Sequence, residues 1–148
     1  MKKIDEYSYQ CGIMDCFSEM VKAGLKKIAL AHPTKTKEAR EVYVPFAKEI
    51  CEQYHISYYL DDDPLVSDLF PSHMNLNTYN IIFYKNDEDI KEYELLKKLK
   101  KEAITNNSYE TIRYEIAYRF GKLLSYSDDT INTYIKDNNE KEYYTLSP

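Results

Sequence analysis

Glycine is scarce in this chain, and its scarcity excludes one class of ligand site. The three glycines, Gly12, Gly24 and Gly121, lie far apart among the 148 residues. Phosphate-binding loops of the Walker A and dinucleotide kinds need several glycines close together, because backbone amides must approach the phosphates. The sequence therefore excludes nucleotide binding of those standard kinds. Proline is also rare, with five residues, so no long linker is expected and one domain is predicted.

Cysteine, an export signal and long apolar runs are also sparse or missing. The chain has three cysteines, and its charged start is not followed by the apolar core of a signal peptide. The longest apolar runs, 28–31 and 81–84, are far shorter than the roughly 20 residues that cross a bilayer. We therefore expect reduced thiols, a cytoplasmic location and no membrane segment.

The composition is that of a globular protein with an acidic balance. Charged residues make up 30% and hydrophobic residues 43% of the chain, and the formal net charge is −5. This charge disfavours non-specific binding to nucleic acid. The sixteen tyrosines are explained most simply by an AT-rich genome. They also supply aromatic surface on which a homo-oligomer or a protein partner could form.

Hydrophobic periodicity predicts helices and strands in alternation. Three short apolar segments are predicted as strands, at 27–31, 56–60 and 79–84. Longer amphipathic segments are predicted as helices, at 5–22, from Thr36 with a kink or break at Pro45, at 87–104, from 107, and from Ser127. A short helix is expected from Asp63 and Pro64 to Phe70.

This order predicts an α/β fold. We expect a small three-stranded, mainly parallel sheet flanked by helices, with a C-terminal helical hairpin. Residues 1–137 are predicted to form the single domain, and residues 138–148 a polar, frayed tail. The direction of the third strand is left open, because its connector from Asp61 to Thr78 allows either one.

Polar residues follow each predicted strand, where an open parallel sheet binds its ligands. The candidates for catalysis are His32, Asp61, Asp62 and Asp87. The candidates for ligand binding are Thr34, Lys35, Lys85 and Asn86, and those for a metal ion are Asp61 and Asp63. Carboxylates suit Mg²⁺, which could assist chemistry on a phosphorylated or acidic small molecule, with His32 as acid or base.

A structural interpretation of the same residues is favoured over this one. Asp63 caps a helix, Asp61 and Asp62 belong to a solvated turn, and His32 precedes a turn proline. Because no complete catalytic set is present, the leading prediction is a non-catalytic binding or regulatory module without a cofactor. The magnesium-assisted enzyme is the alternative.

A second alternative is DNA binding through residues 112–136. This segment has an Ile-Ala pair at Ile116, Gly121 and a Thr-Ile pair at Thr130, as in helix-turn-helix motifs. The gap between Gly121 and Thr130 is about one turn too long, and Asp128 and Asp129 would face phosphates of like charge. A helical hairpin packed on the sheet is the favoured interpretation.

Overall fold

The computed structural model describes residues 1–144, so residues 145–148 of the predicted tail lie outside the described part. Within residues 1–144 the chain forms three strands and six α-helices. The strands are β1 (Ile28–Leu30), β2 (Ser57–Asp61) and β3 (Asn80–Tyr84). The helices are α1 (Glu6–Lys22), α2 (Lys37–Glu41), α3 (Val44–Tyr54), α4 (Asp87–Thr105), α5 (Tyr109–Leu123) and α6 (Asp128–Asp137).

The sheet is antiparallel, so the prediction of a mainly parallel sheet was wrong. Its order is β1-β3-β2, and β3 runs antiparallel to both neighbours. Asp61 at the end of β2 lies opposite Asn80 at the start of β3. The connector therefore turns back at the end of the sheet where β2 finishes, and it does not cross a face as a parallel pairing requires.

The two edge strands still run in the same direction as each other, because both are antiparallel to β3. Helices α2 and α3 connect β1 to β2, and β3 fills the space between these strands. This is the arrangement of a split β-α-β unit. The ends of β1 and β2 and the start of β3 consequently share one end of the sheet.

Strand β3 is central and is buried on both faces. Ile82 belongs to a large core that also contains Tyr93 of α4 and Phe120 of α5. Ile81 and Phe83 belong to a second core, formed with α1 and α3. The apolar run at 81–83 therefore indicates that the strand is buried on both faces. It does not indicate the direction of the strand.

Several helix boundaries follow from local chemistry as the sequence predicts. The side chains of Thr36 and Ser127 accept hydrogen bonds from the amides of Ala39 and Thr130, so both residues are N-caps. The helix predicted around Pro45 is broken, with α2 ending at Glu41 and α3 beginning at Val44.

The connection from β2 to β3 differs from the prediction. The expected helix from Asp63 to Phe70 is absent, and the described chain has one short 3₁₀ turn there, Ser72–Met74. Residues 64–69 are nevertheless buried. Side chains from distant parts of the chain bond to the backbone of this connection. Tyr93 accepts from the Leu65 amide, and Lys100 donates to Val66 O. Asn138 donates to Asp68 O and Phe70 O.

Helices α5 and α6 pack very closely at Gly121. A Cβ atom at this position would lie 2.5 Å from Cγ1 of Ile131. Gly121 therefore permits the close approach of the two helices that flank the turn at residues 124–127. In residues 1–144 no helix has both the length and the apolar character that crossing a bilayer requires.

Candidate ligand-binding cleft

The predicted site residues are divided between the two ends of the sheet. His32 and Thr34 follow β1, and Asp61 ends β2 at the same end. Lys85, Asn86 and Asp87 follow β3, which runs the opposite way, so they lie at the other end. These residues therefore do not lie together at one end of the sheet, as they would if all three strands were parallel. Lys35 is exposed in the loop between Thr34 and α2.

The three consecutive aspartates point to three different sets of partners. Asp61 is 1% exposed and accepts from Tyr93 Oη at 2.5 Å, from Lys97 Nζ at 2.8 Å and from the Asp63 amide at 3.1 Å. We call Asp61, Tyr93 and Lys97 the Asp61 network. Every one of its polar groups has a partner, which is the condition for a stable buried polar cluster.

Asp62 and Asp63 are exposed and pair separately. Asp62 lies 2.6 Å from Nη1 of Arg40, and the hydrogen bond from Arg40 holds the pKa of this carboxyl below its usual value. Asp63 lies 3.5 Å from Lys101 Nζ. Among residues 1–144 no group of three or more His, Cys, Asp or Glu side chains is arranged to hold a metal ion.

On the opposite side of β3 from β2, the pairing between β1 and β3 is irregular. The Ala31 amide donates to Ile81 O, and Thr34 and Tyr79 exchange backbone hydrogen bonds, all at 2.9 Å. Two residues of the first strand, His32 and Pro33, therefore lie opposite the single residue Asn80. Such an extra residue is a β-bulge, which bends the strand and redirects side chains near sites of function.

A cleft of about 370 Å³ opens beside this bulge and the edge strand β1. Its walls come from α1, from β1, from the β2–β3 connection and from the turn between α5 and α6. Most of the lining is apolar: Ile13, Phe17, Leu30, Ala31, Pro33, Phe70, Met74, Leu124 and Tyr126. The polar lining residues are Lys26, His32, Asn75 and Asn80. This size and composition are typical of sites for small molecules.

Asn80 is one of the lining residues, and it carries a buried polar group without a partner. Its Oδ1 accepts a hydrogen bond from the Ile81 amide at 2.8 Å, and the residue is 1% exposed. Its Nδ2 is buried and has no hydrogen-bond partner among the residues described. An unpaired buried donor costs about 1–3 kcal/mol, and because solvent does not reach this atom, a ligand in the cleft does not reach it in this conformation either.

Lys26 contributes a positive charge to the same cleft. Its Nζ donates to Leu124 O at 2.8 Å and lies 5.2 Å from the centre of the Tyr126 ring, and both of those residues line the cleft. No carboxylate within residues 1–144 pairs with this ammonium group. Burial lowers the pKa of Lys26, since removal of water disfavours the charged form.

His32 and Arg40 complete the surroundings of Asn80. His32 is exposed at the rim and also borders a small cavity of about 10 Å³ that Arg40 lines. Arg40 is only 2% exposed and donates from Nη1 to Asn80 O at 3.3 Å. Its Nε is also without a partner in the described chain.

Sequence reasoning named His32, which lines the cleft, but it did not name Lys26, Asn80 or Arg40. Asn80 stands inside an apolar run where a polar residue is unexpected, and that was the one signal in the sequence. Lys26 becomes part of the cleft only through Leu124, a residue 98 positions away. The burial of Arg40 also depends on tertiary packing, because neighbouring positions of α2 are exposed.

The segment proposed as a helix-turn-helix lies in α5, the following turn and α6. At the start of α6, Asp128 is bonded to Lys122 at 2.5 Å and to Tyr118 at 3.0 Å. The start of α6 therefore presents acidic side chains, and the neighbouring Lys122 is already paired. DNA binding through residues 112–136 stays a prediction.

Comparisons of the chain with family models, with curated proteins and with solved structures found no match.

Proposed function

We propose that this protein is a non-catalytic binding module that holds a small, largely apolar molecule in the cleft beside β1. The observation that carries the proposal is a mostly apolar cleft of about 370 Å³ whose wall includes Lys26, a lysine without a carboxylate partner among residues 1–144. An apolar ligand body would remove the surrounding side chains from water. The free donors of the Lys26 ammonium group would bind an acceptor atom of the ligand.

The proposal is tested by a reporter placed at the rim of the cleft. The chain contains no tryptophan, so a Met74→Trp variant would have a single tryptophan beside the site. Met74 is 45% exposed and lines the cleft. With octan-1-ol as the neutral probe, we expect a saturable change in tryptophan fluorescence. In the unchanged protein, the backbone amide resonances of Leu30 and Leu124 should shift over the same concentration range.

Leu76→Trp is the matched control. Leu76 is 47% exposed and lies two residues further along the same connection, but it does not line the cleft. Its fluorescence should not respond to the probe. An equal response from both variants, or unchanged resonances at Leu30 and Leu124, would contradict binding in the cleft.

The magnesium-assisted enzyme remains an alternative that was predicted from a parallel sheet. Its support from the fold is lost, since the sheet is antiparallel and Asp61, Asp62 and Asp63 have separate partners. A titration with Mg²⁺ or Mn²⁺, followed by thermal unfolding, distinguishes the two hypotheses, because a ligand of the native state raises the melting temperature. A metal-dependent rise that Asp61→Asn abolishes would favour the enzyme.

A further inference from the structure

The charge of the cleft restricts the chemistry of its ligand. In the described chain no acidic side chain lines the cleft, whereas Lys26 and His32 do. Lys26 is partly desolvated and lacks a carboxylate partner. A cation in such a place is stabilised by an anion far more than it would be in water, since the effective dielectric constant is low.

The hydrogen-bonding groups restrict the ligand in the same direction. Lys26 uses one of its three donors on Leu124 O. The remaining donors of this ammonium group await a partner, so a ligand must bring acceptors to them.

We propose, resting on the cleft function above, that the ligand is a monocarboxylate with an apolar body, with the carboxylate held by Lys26. The apolar body lies against Leu30, Phe70 and Leu124. A carboxylate has two acceptor oxygens and a negative charge, so it can accept hydrogen bonds from the ammonium group and neutralise it. An amine of the same shape would bring a second positive charge to Lys26 and should be rejected.

Three probes with the same apolar chain separate these contributions: octanoate, octan-1-ol and octylammonium. Their dissociation constants are measured with the Met74→Trp reporter at neutral pH and constant ionic strength. We expect octanoate to bind about tenfold more tightly than octan-1-ol, as is typical for a hydrogen bond to a charged group. Octylammonium should bind most weakly of the three.

Variants of the lysine then assign the preference to one residue. In the reporter background, Lys26→Met should remove the roughly tenfold advantage of octanoate and leave octan-1-ol within about threefold. Lys26→Arg should restore part of the advantage, because it keeps the charge. Lys27→Met is the matched control, since it removes the same charge from the neighbouring exposed residue and should change neither affinity.

The outcomes separate failure of this inference from failure of the proposed function. If octan-1-ol and octanoate bind equally and Lys26→Met alters neither, the carboxylate assignment is overturned while the cleft remains a binding site. The same conclusion follows if octylammonium binds most tightly. If none of the three probes changes the reporter signal, the binding function itself is refuted.

Discussion

The two flanks of β3 differ in whether their buried polar groups have hydrogen-bond partners. On the β2 side, Asp61 is surrounded by Tyr93, Lys97 and the Asp63 amide, and no polar group of that network lacks a partner. On the β1 side, the donor of Asn80 is unpaired and Lys26 has no counter-charge among residues 1–144. The first flank has the completed hydrogen bonding of a structural cluster, whereas hydrogen bonding is incomplete on the second, beside the cleft proposed as a ligand site.

The difference also shows why chemical richness alone is a poor guide to function. The triple aspartate is a conspicuously polar feature next to the sheet, and its carboxylates were predicted from the sequence to be candidates for a metal-ion site. In the structure, both carboxylate oxygens of Asp61 accept hydrogen bonds from within the fold, whereas Nδ2 of the less conspicuous Asn80 has no partner among the residues described. The informative property is the balance of donors and acceptors around a residue and not its reactivity in isolation.

Among the variants that test this difference between the two flanks, removal of Asp61 should have the largest effect on stability. Asp61→Ala leaves the Lys97 ammonium and the Tyr93 hydroxyl without their acceptor, so we expect a loss of about 3–5 kcal/mol in the free energy of unfolding. Urea denaturation measures it. Asp63→Ala, at an exposed position with one distant ion pair, should change stability by less than about 0.5 kcal/mol. Equal effects of the two variants would show that Asp61 is not a structural residue.

Tyr93→Phe should have the next largest effect. The hydroxyl of Tyr93 accepts from the Leu65 amide at 2.8 Å and donates to Asp61, so its removal leaves one buried donor and one acceptor unpaired. We expect a loss of about 1–3 kcal/mol in denaturation experiments. Tyr54→Phe, which loses a hydroxyl bonded to Asp15 in a half-buried setting, should cost less. The reverse order would contradict the importance of the network.

The smallest effect concerns Lys26 and depends on pH. Burial lowers the pKa of this lysine in the folded protein below its usual 10.5. Between the lowered pKa and 10.5, the unfolded chain retains a proton that the folded chain has released, so stability should rise with pH. The unfolding free energy of the unchanged protein, minus that of Lys26→Met, should increase across this alkaline window. A constant or falling difference would show that Lys26 is not desolvated.

Much of the fold was predictable because it depends on local signals. The caps Thr36 and Ser127 and the break at Pro45 each act within a few residues. The direction of β3 was not predictable, since an apolar run is required in any central strand. The helix expected after Asp63 does not form, because the burial of residues 64–69 is stabilised by Tyr93, Lys100 and Asn138, which are distant in sequence.

The candidate site was predictable only in part, for the same reason. The position of His32 after a strand is visible in the sequence. The cleft itself requires the α5–α6 turn to reach Lys26, through a hydrogen bond to Leu124 O across 98 positions of sequence. Local patterns do not contain such contacts.

The bonds from Asn138 to the β2–β3 connection bear on the order in which the chain can fold. Its side-chain amide donates to Asp68 O and Phe70 O, carbonyls that lie 70 and 68 residues earlier. During synthesis these carbonyls leave the ribosome long before their donor exists, so water must hydrate them in the meantime. The β strands can pair early, but the segment that joins two of them acquires its final hydrogen bonds only after α6 has been translated.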